Sequence, residues 1–124
     1  MAVKHKLMSY YKELIVWQKS YKLVLDVYLV SKSFPREEMF GITSQIRRAA
    51  VSIPSNISEG NSRGGKKEYI QFLRIALGSS TELETQLMLC KDLGLINVSD
   101  YNRIQTLLDE VIKMLSVLIK KLDI

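Results

Sequence analysis

The sequence is poor in the side chains that carry most protein chemistry. Its 124 residues include one cysteine, Cys90, and one histidine, His5. A lone cysteine closes no internal disulfide, and one histidine beside one cysteine leaves almost no material for a metal centre or an activated thiol nucleophile. Two prolines and six glycines exclude a Pro- or Gly-rich low-complexity chain. No run approaches the roughly 18 uncharged apolar residues of a spanning helix. Residues 1–10 are basic but lack the apolar stretch of a secretory signal. A reducing cytoplasm is the expected compartment, no cofactor is expected, and an enzyme is the least expected class.

What is present is ordinary globular material, with 47% apolar, 25% charged and 8% aromatic residues. A chain of this length buries roughly two-thirds of its unfolded surface, enough for one core. The net charge is +5 and the isoelectric point is near 9.4, which permits polyanion partners without requiring them. The charge is uneven. Thirteen basic and six acidic side chains precede residue 75, whereas five basic and seven acidic ones follow, so the positive excess lies in the first part.

Periodicity predicts four helices. From Leu14, apolar residues recur at Leu14, Trp17, Tyr21, Leu25 and Tyr28, the spacing of one helical face. Val16, Leu23, Val27 and Val30 fall beside that stripe and widen the apolar arc to roughly 200°, about twice the usual core-facing width. One neighbouring surface would not cover it, so these four residues are expected to contribute to an oligomer interface. Pro35 should end this helix near Phe34. A second helix opens around Glu37 to Gly41 with Ile42, Ile46, Ala49, Ile53 and Ile57 on one side, kinks at Pro54 and closes at Gly60. Its other side carries Gln45, Arg48, Ser52, Asn56 and Glu59, a polar stripe that is either wet or faces another helix and needs partners. Residues 61–65 form a short connection.

The third helix has an unbroken heptad seam of Tyr69, Leu73, Ala76, Ser80, Leu83, Leu87 and Cys90. Gly78, Ser79 and Ser80 in its middle would admit a close neighbour, and Gly94 supplies the stop. Ser99 is the expected N-cap of a fourth helix, whose seam is Tyr101, Ile104, Leu108, Val111, Leu115, Leu118 and Leu122. No strand pattern competes. The expected fold is an all-α, up-down-up-down antiparallel four-helix bundle over residues 13–124, preceded by a flexible leader, 1–12.

Candidate chemistry is thin. His5 falls in the leader and reads as solvated. Cys90 sits on a seam and reads as a packed thiol. Glu82 and Glu84, two apart on a helix, point to different faces and make no acid/base pair. Asn56-Ile57-Ser58 and Asn97-Val98-Ser99 match a glycosylation sequon without the secretory context it requires. Gly64, Gly65, Lys66 and Lys67 suggest a phosphate loop, but the strand that must precede one is missing. Arg47, Arg48, Arg63, Lys66, Lys67 and Arg74 can instead form a basic nucleic-acid-binding surface that meets phosphates, and a merely solvated face is the competing reading. Arg48 would leave that surface if it pairs with a carboxylate such as Glu59 on another helix.

Three stretches resemble a known family: Leu14-Ile15-Val16-Trp17-Gln18, the run FPREEMFGITSQIRRAAVSIPSNISEG at 34–60, and KKEYIQFLRIALGSSTELETQL at 66–87. Together they look like the bacterial 23S rRNA-intervening sequence proteins. Gln45-Ile46-Arg47-Arg48-Ala49-Ala50, Ser55-Asn56-Ile57 with Glu59-Gly60, and Leu77-Gly78-Ser79 are distinctive in combination. Ser58 departs from the Ala common there. The resemblance implies a ring-shaped homopentamer of four-helix bundles around a central channel. Some members of that family are encoded within insertions in large-subunit ribosomal RNA genes. A related branch, the accessory variability determinant of diversity-generating retroelements, associates with a reverse transcriptase and binds nucleic acid. The implied role is a non-enzymatic scaffold that binds RNA through its backbone, with a protein-interaction scaffold of incidental positive charge as the alternative.

Overall fold

The computed structural model describes residues 10–124, so His5 and most of the expected leader lie outside the described residues. A 3-10 turn at Tyr11–Glu13 leads into α1 (Ile15–Ser31), α2 (Ile42–Ser62), α3 (Lys66–Asp92) and α4 (Val98–Leu122). No strand occurs among the described residues. Consecutive helices pack on one another and α4 returns to α1, the neighbour order of an up-down-up-down bundle. α1 and α3 therefore occupy one diagonal and run in the same direction.

The seams expected on α3 and α4 are the ones buried. Every seam residue from Tyr69 to Cys90 is inaccessible, and Ile104, Leu108, Val111, Leu115, Leu118 and Leu122 face the same core. On α1 the roles of the two stripes are exchanged. Val16, Leu23, Val27 and Val30, expected at an oligomer interface, are buried inside the single chain together with Ser20. Tyr21, Leu25 and Tyr28, expected in the core, are exposed. The physical reason is the steps of four and three from Val16 through Ser20, Leu23 and Val27 to Val30, the same heptad rhythm that α3 and α4 bury. The Ser20 hydroxyl is satisfied locally by donating to the Trp17 carbonyl at 2.9 Å, so it costs the seam little.

α1 stops at Ser31, three residues before Phe34. The connection to α2 is longer than expected and contains a 3-10 turn at Arg36–Glu38 behind Pro35. α2 runs through Pro54 and past Gly60 to Ser62. Gly60 is thus not the closing residue. A Cβ placed there would lie 2.5 Å from the Phe72 Cβ, so the absent side chain lets α2 and α3 approach at this level. The closing conformation belongs to Gly64, with φ of 84°, and the connection is the three residues 63–65.

The end of α3 fits the expectation for Gly94. Its φ is 76°, its amide donates to the Lys91 carbonyl and the Leu95 amide donates to the Cys90 carbonyl, the paired bonds of a Schellman motif. The N-cap of α4 is Asn97, not Ser99. The Asn97 side-chain oxygen accepts from the Asp100 amide at 2.7 Å.

Three substitutions test these assignments by thermal or denaturant unfolding. Gly60→Ala forces Phe72 aside and should cost about 1–3 kcal/mol. Asn97→Ala should cost about 0.5–2 kcal/mol, with Ser99→Ala near neutral. A neutral Gly60→Ala would refute the close approach.

Candidate functional site

The six basic residues fall in three places. Arg47 turns toward α1, where its Nε donates to the Ser31 Oγ at 2.9 Å and its guanidinium lies 4.6 Å from the centre of the Tyr28 ring. Arg48, about 100° further round the helix, is exposed and lines a polar cleft of about 560 Å³ between α2 and α3 with Gln45, Ser52, Ser79 and Glu82. Arg63, Lys66 and Lys67 lie at the α2–α3 turn, roughly 24 Å along the α2 axis from Arg47 at 1.5 Å per residue, and Arg74 is about 12 Å further along α3 beside the end of α4.

Three of these four cations already have partners. Arg63 bonds Glu59 through Nη2 at 2.8 Å and Nε at 3.2 Å, and its Nη1 lies 3.6 Å from Glu68. The hydrogen bond and the charge of Glu59 raise the Arg63 pKa further. Arg74 Nη2 is 3.3 Å from Asp123 Oδ2, and Lys66 Nζ is 3.4 Å from the Ile124 carbonyl oxygen. Lys67 has no ion pair among the described residues. Four cations thus face three carboxylates. Exposed pairs of this kind contribute only about 0–1 kcal/mol each, so a phosphate can displace them. Arg48 does not pair with Glu59, which is taken by Arg63.

The middle of the α2 polar stripe, at Ser52, meets α3, whereas Gln45, Arg48 and Glu59 are exposed. Ser52 and Ser79 share a hydrogen bond of 2.8 Å, and Asn56 Nδ2 donates to both the Ser52 carbonyl at 2.8 Å and the Ser52 Oγ at 2.9 Å. Asn56 is therefore a packing residue and Asn97 a helix cap. Glu84 accepts from Gln105 of α4 at 2.9 Å, whereas Glu82 accepts from Gln86 at 3.4 Å on the cleft side. The two carboxylates do not converge. Among the described residues no three His, Cys, Asp or Glu side chains come together as metal ligands, and no helix is long and apolar enough to cross a membrane. Cys90 is inaccessible. Burial, reinforced by the charge of Glu38, pushes its thiol up to about 11.

The feature that sequence reasoning misplaced is an uncovered apolar face on α1. Tyr21, Leu25, Tyr28 and Leu29 are between 40% and 60% exposed. A groove of about 350 Å³ runs beside them, walled by Trp17, Tyr21 and Leu25 on one side and Val51 and Pro54 on the other. Phe40, in the α1–α2 connection, is 97% exposed. The signal in the sequence was the pair of apolar stripes on the first helix, one of which had to face outward.

The described residues form an all-α four-helix bundle that buries one seam per helix and leaves a second apolar stripe of α1 open. The comparisons narrow this further: the chain belongs to the 23S rRNA-intervening sequence protein family, whose model matches residues 12–117. A protein of unknown function from the S23 ribosomal protein family of Bacteroides thetaiotaomicron VPI-5482 has a similar solved structure. It is 29% identical, with a TM-score of 0.79 over 86% of this chain and 99% of that one. No curated protein matches.

The thiol gives a pH prediction. An unfolded cysteine titrates near 8.5 and the folded one near 11, so the unfolded state binds fewer protons between those values. Stability should be intact below about pH 8.5 and decline as pH rises toward 11. Cys90→Ala should fold, keep the same oligomer size and lose part of that alkaline decline in urea midpoints measured against pH. An identical decline in the variant would assign it elsewhere, for instance to Tyr69, whose phenol burial also shifts upward.

Proposed function

We propose that this protein is a non-catalytic, self-assembling scaffold of the cytoplasm, working as a ring of identical copies, five by the family resemblance. The observation that carries the reading is the open α1 face. Contiguous exposed apolar surface on a single chain marks an interaction site or an aggregation hazard, and Tyr, here on a helix, is among the residues enriched at binding hot spots.

RNA is the second element of the reading. It is supported by the net charge of +5, by the placement of Arg63, Lys66 and Lys67 at one end of the bundle with Arg74 further along α3, and by the family's description as 23S rRNA-intervening sequence proteins. In an upright ring these ends share one rim, so a weak site per copy is multiplied by avidity. Arg47 and Arg48 are not part of that rim. The ion pairs to Glu59, Glu68 and Asp123 favour the rival reading, a scaffold for a protein partner, of which a reverse transcriptase is the example offered by the related branch.

Sedimentation at micromolar concentration should show a stable oligomer, and a monodisperse monomer would defeat the assembly reading. Replacing Arg63, Lys66 and Lys67 together by Ala should weaken binding of generic RNA without changing oligomer size. The slope of log affinity against log salt should fall by at most about 0.7–0.9 for each phosphate that the variant no longer neutralises. Unchanged affinity would reject this surface. A wild type that binds no RNA even at low salt would leave the protein scaffold.

A further inference from the structure

We infer that the open face of α1 is covered by the outer face of α3 from a second copy, in a side-by-side contact that repeats in one direction around the ring. The inference rests on the self-assembly proposed above and specifies which surfaces meet.

The outer face of α3 is the surface that fits. Ile75, Gly78, Glu82, Thr85 and Leu89 are all exposed, and their steps of three and four trace a second heptad stripe on the outside of the helix. At its centre, a Cβ added to Gly78 would meet nothing within 4 Å. Glycine inside a helix costs about 1 kcal/mol relative to alanine, and within its own chain Gly78 gains no close packing in return, unlike Gly60. The α1 stripe is bulky where the α3 stripe is small, so Tyr21, Leu25 and Tyr28 can enter a surface opened by Gly78.

The heights agree as well. Leu25 and Val51 wall the same groove, and Ser52, next to Val51, bonds Ser79. Leu25 is therefore level with Gly78 and Ser79. Tyr28 is level with Arg47, and the adjacent Arg48 shares its cleft with Glu82. Cyclic symmetry keeps every residue at its own height in all copies, so an upright ring sets Leu25 opposite Gly78 and Tyr28 near Glu82. α1 and α3 run in the same direction and lie on opposite corners of the bundle, which suits a heterologous contact that closes.

Charge is complementary too. Arg47 has no carboxylate partner and Glu82 no cationic one among the described residues. The contact brings the Arg47 guanidinium of one copy toward the Glu82 carboxylate of the next, where a charge-assisted bond can form.

The test is disulfide trapping in a Cys90→Ala background. Leu25→Cys with Gly78→Cys on the same chain should, on mild oxidation, give a ladder of covalent species beyond the dimer on a non-reducing gel, and either single variant should give none. Absence of the ladder in a protein that still sediments as an oligomer would overturn the α1–α3 contact while leaving self-assembly standing. Efficient dimers from Leu25→Cys alone would overturn it in favour of an α1–α1 contact. Gly78→Leu supplies an independent arm. Its own chain has room for the side chain, so helicity should persist while the oligomer falls at least tenfold in stability toward dissociation. An unchanged oligomer would overturn the inference, and a monomeric wild type would overturn it along with the assembly reading.

Discussion

The close packing of α2 on α3 organises the rest of this molecule. The two helices are joined by three residues, meet most tightly where Gly60 admits Phe72, and are tied again by the Ser52–Ser79 bond. With Ser52 of its polar stripe turned to this contact, α2 gives its Ile46, Ala49, Ala50, Ile53 and Ile57 side to the common core. α1 and α4 then complete that core with one seam each. Any further apolar side chain on α1 must lie outside, which is where Tyr21, Leu25, Tyr28 and Leu29 are found.

The same contact governs the charges. It places the turn at 63–65 between the last residues of α2 and the first of α3, so Glu59, Arg63 and Glu68 become neighbours around one short loop. Arg74 meets Asp123 only because α4 ends beside the beginning of α3. The positive excess of the first part of the chain is therefore partly compensated by an acidic residue 49 positions away. A charge count along the sequence registers the excess and misses the compensation.

How much was legible in advance depended on whether a helix offered one apolar stripe or two. α3 and α4 each have a single unbroken heptad, and those seams are the buried ones. α1 has two stripes, and the buried one contains Ser20, a polar residue that made it look weaker than the aromatic stripe. Local endings divided in the same way. Gly94 stood alone as a stop, whereas Gly60 and Gly64 competed, and only the distance to Phe72 separates a glycine chosen for contact from one chosen for a left-handed turn. Asn97 and Ser99 are both capping residues two positions apart, and the geometry at Asp100 decides between them. The basic set was visible as residues but not as a surface, because its partition depends on which face of α2 each arginine occupies.

The short turn at 63–65 also bears on how the chain comes together. Contacts between α2 and α3 are close in sequence, so this hairpin closes at small loop entropy and can form early. The α1–α4 contact joins segments near opposite ends of the described chain and has the largest loop to close. Until α4 docks, α1 is packed on α2 alone, so the α4 side of its core-facing stripe stays uncovered beside the outer stripe. The period of greatest stickiness falls before α4 docks, when partly folded copies can meet through both stripes. A helix with two apolar stripes is left with its smallest margin for error at that moment.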